Sequence, residues 1–179
     1  MATRDPAFKP VKLKSKQPFT CLDLFSGCGG FTLGMMRAGF RVLAAIDADP
    51  DAVATLRGNL CSTRDKSVLP VEHVLERDLT RFEPEELAEL ILTKHVNVIV
   101  GGPPCQGFST ARQVDGANHG QRLKEDSRRQ LYREFLRFVE FFQPCVFVME
   151  NVLGIRTAAG GAYFTAVQKE AREIGRKHG

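Results

Sequence analysis

The chain has 179 residues, 43% of them hydrophobic and 26% charged, with a net charge of +4, values that suit one soluble domain with a core of its own. No apolar run approaches the roughly 20 residues needed to cross a bilayer, and the first residues lack the apolar segment of a secretory signal. The five cysteines include no Cys-x-x-Cys pair and no Cys/His spacing suited to zinc, which points to reduced thiols in a cytoplasmic or nuclear setting and to no metal site.

Residues 1–18 carry Arg4, Lys9, Lys12, Lys14 and Lys16 against Asp5, with three prolines, and read as a flexible basic arm ahead of one unit over 19–179. Phe19 to Phe25 predicts a strand, Ser26 to Gly30 a glycine turn, and Phe31 to Ala38 a helix stopped by Gly39. Arg41 to Asp47 reads as a second buried strand. Asp49 as cap and Pro50 as first residue open a helix that runs to about Leu60. Residues 61–70 form a polar loop, Val71 to Leu75 a short strand, and Asp78 follows its end. Glu83-Pro84-Glu85-Glu86 starts a helix that continues through Ile91, with acids at its positive end.

Val96 to Val100 is a β-branched run that stops at Gly101-Gly102-Pro103-Pro104-Cys105-Gln106-Gly107-Phe108-Ser109. A run ended by Gly and Pro predicts a buried strand meeting a loop. Cys105 then sits where open α/β sheets bind ligands, and the two prolines stiffen the approach to it. Residues 109–126 have no apolar period and read as a long loop of the functional kind. Asp126-Ser127 caps a helix bearing Leu131, Phe135, Phe138, Val139 and Phe142, which Pro144 ends. Cys145 to Met149 is a strand leading to Glu150-Asn151, and a last helix covers 162–177.

Strands and helices alternating at this interval predict an α/β fold with a doubly wound, mostly parallel sheet. Right-handed crossovers then bring the strand carboxyl ends to one rim, where the turn at 26–30, Asp47, Asp78, Cys105 and Glu150 all fall. Gly27 and Gly29 allow a ligand close to backbone N–H groups. The third glycine of a nicotinamide fingerprint would stand at Thr32, so that fingerprint is broken and a dehydrogenase is disfavoured. Asp47, ending the second strand, suits the two hydroxyls of a ribose. Asp78 suits an exocyclic amine, such as adenine presents.

The Cys105 loop resembles the Pro-Cys loop of the DNA cytosine-5 methyltransferases, and Asp23 to Phe31 resembles that family's first motif. Glu150-Asn151-Val152 and Asp126-Ser127-Arg128 match two more of its motifs, in the family's order, over roughly residues 19–155. The resemblance implies a Rossmann-like fold that binds S-adenosylmethionine and leaves S-adenosylhomocysteine. It implies cofactor contacts at Phe25, Ser26, Gly27, Gly29, Gly30, Asp47, Asp78, Leu79 and Pro103. Cys105 would be the nucleophile toward carbon 6 of cytosine and Glu150 the partner of ring nitrogen 3, with a pKa raised by burial. Pro104, Gln106, Ser109, Asn151 and Arg128 would meet the substrate, double-stranded DNA. Ala48 stands where the family often has a large residue beside the ribose acid. The family's later arginine motif, target-recognition region and closing motif are not found in 19–179, so the resemblance implies an amino-terminal part that a remainder or a complementing chain completes. An RNA cytosine-5 methyltransferase with the same motifs and a non-catalytic binding module are the competing readings.

Overall fold

The computed structural model describes residues 17–60, 70–104 and 131–178. The arm to residue 16, most of the 61–70 loop, the loop from Cys105 onward and the Asp126-Ser127 cap lie outside the described residues. Five strands, β1 (Thr20–Leu24), β2 (Arg41–Asp47), β3 (His73–Glu76), β4 (Val98–Gly101) and β5 (Val146–Met149), form one sheet in the order β3-β2-β1-β4-β5. All four pairings are parallel, as expected. The helices are α1 (Gly30–Arg37), α2 (Pro50–Leu60), α3 (Pro84–Leu90), α4 (Leu131–Phe142) and α5 (Ala162–His178).

Local chemistry sets the helix starts. Asp49 Oδ1 accepts from the N–H groups of Asp51 and Ala52 at 2.9 and 3.1 Å, capping α2. Glu83 and Glu86 make a reciprocal capping box at the head of α3, with Pro84 in its first turn. α4 buries Tyr132, Phe135, Leu136, Phe138, Val139 and Phe142 on one stripe. Burying rings such as Phe135 and Phe138 contributes roughly 1.5–3 kcal/mol each.

Two strands are displaced from their expected bounds. Val71 is buried but unpaired, and the third strand starts only at His73. Val96 is likewise buried ahead of β4, while the Asn97 side chain bonds to the Thr20 backbone N–H at 2.8 Å. A side chain thus serves where a ladder would have begun.

The core lies on both sheet faces. One cluster joins α3, α4 and α5 to Leu22, Leu24, Ile46 and Ile99. The other joins Met36 of α1 and Leu56 and Leu60 of α2 to Val42, Ala45 and Val100. On the edge strand, Phe147 packs edge-on against Phe135, whereas Val146 and Val148 are 55% and 45% exposed. These valines pair with Val98 and Val100, so they lie on the α1 face, at the end of the sheet that parallel architecture ordinarily covers.

Gly101 is demanded by the packing of β4 on β1. A Cβ there would lie 2.1 Å from the Leu24 carbonyl oxygen and 3.0 Å from the Phe135 ring. Gly101→Ala is therefore expected to destabilise the fold by about 3 kcal/mol or more, read from urea unfolding; a loss under about 0.5 kcal/mol, typical of surface changes, would contradict this account.

Candidate functional site

The end of β1 turns sharply. Phe25 adopts φ 56° and Gly27 φ 52°. Such a backbone is uncommon for a bulky residue and marks a constrained place. The Ser26 N–H donates to the Ile46 carbonyl at 2.9 Å, which ties the turn to β2. Asp47, at the end of β2, accepts from the Gly27 N–H at 2.7 Å and from the Asp49 N–H at 2.9 Å, one on each carboxylate oxygen. Its carboxylate is thereby held at the rim, with lone pairs remaining on both oxygens.

Gly29 is the N-cap of α1 at φ 94° and supplies no side-chain cap. Asp23 of β1 takes over that task. The Thr32 hydroxyl donates to Asp23 Oδ2 at 2.5 Å, and the Thr32 N–H also supports the carboxylate. Thr32 thus has a use of its own where a nicotinamide site would place glycine. Both residues are fully buried. No role for Asp23 follows from sequence spacing, since its partner is on the next element.

Beyond β3, Asp78 Oδ1 accepts from the Thr80 N–H at 2.9 Å and the Thr80 hydroxyl at 2.8 Å. These bonds hold the Asp78 carboxyl below its ordinary range, with Arg81 assisting and slight burial opposing. Its Oδ2 is without a partner among the described residues. Leu79 is 2% exposed and belongs to the core.

A cavity of about 710 Å³ opens on this rim. Phe25, Gly27, Asp47, Asp78, Leu79 and Pro104 line it, all of them expected from sequence. Ala48, Arg77, Thr80, Gly102 and Leu131 line it as well; of these only Ala48 is placed beside the cofactor by the sequence. Ser26, Gly29, Gly30, Pro103, Glu150 and Asn151 do not line it. Ser26 Oγ is buried without a partner in the turn beside it. Cys105, Gln106, Ser109 and Arg128 lie outside the described residues.

Glu150 follows β5, and its N–H donates to the Gly101 carbonyl at 2.9 Å. A Cβ on Gly102 would stand 3.0 Å from Glu150 Oε2, so glycine there leaves room for the carboxylate beside the cavity wall. Glu150 is exposed, so the burial expected for it is not provided by the described residues. Asn151 Nδ2 donates to the Pro103 carbonyl at 3.1 Å and its Oδ1 accepts from the Val152 N–H at 3.0 Å. It braces the stretch that leads into Cys105.

The family described as C-5 cytosine-specific DNA methylase matches residues 19–177. The type II methyltransferase M1.HphI of Haemophilus parahaemolyticus is 38% identical over 158 residues, which are 88% of this chain and 39% of that protein. M.DdeI of Desulfomicrobium norvegicum is 42% identical over 134 residues, 75% of this chain and 28% of that protein. A crystal structure of an E. coli protein assigned as a prophage-encoded DNA modification methyltransferase superposes with TM-score 0.66 at 32% identity, covering 89% of this chain and 38% of that one. The chain therefore spans well under half the length of these relatives.

Burial pushes the Asp23 carboxyl from 3.8 up to about 7, against the Thr32 hydrogen bonds and with help from the charge of Asp47. The folded state keeps a proton that the unfolded chain releases above its ordinary pKa. This group's contribution to stability is thus full at low pH and declines as pH rises toward 7. Asp23→Asn carries no such proton. Its stability relative to the parent is expected to rise between pH 5 and 8, by on the order of 2 kcal/mol, in urea unfolding at each pH; parallel pH profiles for the two proteins would refute the assignment.

Proposed function

Because the chain belongs to the C-5 cytosine-specific DNA methylases, we propose that it is the cofactor-binding and nucleophile-bearing part of an enzyme that methylates carbon 5 of cytosine in double-stranded DNA. The observation that carries this reading is a rim cavity lined together by Phe25, Asp47, Asp78 and Pro104, the residue before Cys105 in sequence.

The residues present fit S-adenosylmethionine. Asp47 is fixed at a strand end with lone pairs to spare for ribose hydroxyls. Asp78 is held as a carboxylate, an acceptor suited to the exocyclic amine of adenine. Phe25 offers a ring to the base. When bound, the cofactor supplies an electrophilic methyl group.

The remaining chemistry belongs to the chain. The Cys105 thiolate adds to carbon 6 of a cytosine taken out of the stack. Glu150 donates a proton to ring nitrogen 3, and electron density moves to carbon 5, which becomes nucleophilic. After carbon 5 is alkylated, a solvent base takes its proton, ring nitrogen 3 returns its proton to the Glu150 carboxylate, and expulsion of the thiolate restores the ring and frees Cys105. Glu150 needs its acid form for this, and closure of the base and of further polypeptide over the exposed carboxylate would favour it. In the same reading the exposed Val146 and Val148 accept such polypeptide, and the chain alone transfers methyl groups poorly.

Calorimetry with S-adenosylhomocysteine tests the cofactor half. The chain is expected to bind it in preference to NAD. Asp47→Ala should weaken binding by roughly tenfold or more, the worth of hydrogen bonds to a charged group. Cys105→Ser should leave the affinity unchanged, since the thiol serves the base. Absence of heat with S-adenosylhomocysteine at millimolar concentration, or tighter binding of NAD, would overturn the reading.

A further inference from the structure

The segment between β3 and α3 carries Asp78 and Leu79 into the cavity without regular structure. It folds on itself only in part: the N–H groups of Arg81 and Phe82 bond to the Asp78 carbonyl at 3.0 and 3.1 Å. The carbonyls of Leu79 and Phe82 are satisfied from elsewhere. Arg137 of α4 donates from Nη2 to the Leu79 oxygen at 2.6 Å and to the Phe82 oxygen at 2.9 Å.

The rest of the guanidinium is equally committed. Nη1 bonds to Glu83 Oε2 at 2.6 Å, and Nε bonds to Glu134 Oε2 at 2.9 Å. The guanidinium carbon lies 5.2 Å from the centre of the Phe138 ring. All three nitrogens of a planar fork thus point at partners on the segment after β3 and on α4 itself, which the compact ammonium of lysine cannot reproduce. The same helix begins with Leu131, another cavity-lining residue. One side chain therefore sets how the wall carrying Asp78 and Leu79 stands against the wall formed by Leu131.

We propose that Arg137 is a positioning residue for nucleobase recognition: by holding the Leu79 and Phe82 carbonyls to α4, it places the Asp78 carboxylate where the cavity meets an exocyclic amine. The proposal rests on the reading of this cavity as the S-adenosylmethionine site. It adds a residue that touches no ligand and sets which base is accepted.

The test compares S-adenosylhomocysteine with S-inosylhomocysteine, whose base bears a carbonyl in place of the amine. Affinities are measured by calorimetry for the parent chain, Arg137→Lys and Arg137→Met, with a thermal melt of each. The parent is expected to prefer the adenine ligand by about tenfold or more, because a site built for an amine leaves a carboxylate unpaired against a carbonyl. Both variants should lose most of that preference through weaker binding of the adenine ligand alone. Arg137→Lys keeps the charge beside Glu83 and Glu134, so it carries the test if Arg137→Met melts below the assay temperature. A preference retained in a folded variant would overturn the inference, as would equal weakening of both ligands, the mark of a merely structural brace. A parent chain that binds both ligands alike would overturn the inference and leave the cofactor reading standing, whereas one that binds neither would overturn both.

Discussion

The Leu24 carbonyl oxygen occupies the space where a side chain on residue 101 would begin. This close approach seats the end of β4 against the end of β1, and the rim is built around it. From β1 the chain winds outward through β2 to β3, then returns to lay β4 on the other side and β5 beyond it. The winding reverses between β1 and β4, so the following loops part and leave a crevice at the carboxyl ends. The turn after β1 and the Gly102-Pro103-Pro104 stretch after β4 flank that crevice. A bulkier residue at position 101 would separate the two strands that define it.

Irregular rim segments leave backbone polar groups that no ladder can satisfy. In this chain distant polar side chains meet several of them. Asp47 takes the Gly27 N–H, Asn151 gives to the Pro103 carbonyl, and Arg137 gives to the carbonyls of Leu79 and Phe82. Asp23 and Thr32 do the same for the start of α1. Each of these bonds joins a segment at the rim to a different element. The cavity walls are thus set by tertiary hydrogen bonds laid on a rigid sheet.

The sheet and helices were legible because their signals are local. Short apolar runs mark β1, β2 and β5, a β-branched run ended by glycine and proline marks β4, and Asp49-Pro50 and Glu83-Pro84 mark helix starts. The strand ends collected Asp47, Asp78 and Pro104 at one rim, as parallel topology requires. What escaped the sequence depends on contact between remote residues. The left-handed backbone of Phe25, the Arg137 fork and the clash that enforces Gly101 have no spacing rule. Val71 and Val96 carry strand-like side chains, yet they pack without pairing, so apolar character alone placed those two strands too early. Burial of Glu150 was asked for by the proton donation that the resemblance implies, but β5 is the edge of the sheet and Glu150 is exposed among the described residues.

The central claim is that the rim cavity between β1, β2 and the segment after β3 holds the cofactor. Its most direct test is a backbone amide NMR titration of the isotope-labelled chain with S-adenosylhomocysteine. The account predicts shifts concentrated at Gly27, Asp47, Ala48 and Asp78 to Thr80, with the amides of α5 unmoved. Saturable shifts confined to another face of a folded chain, with these residues unperturbed, would contradict it.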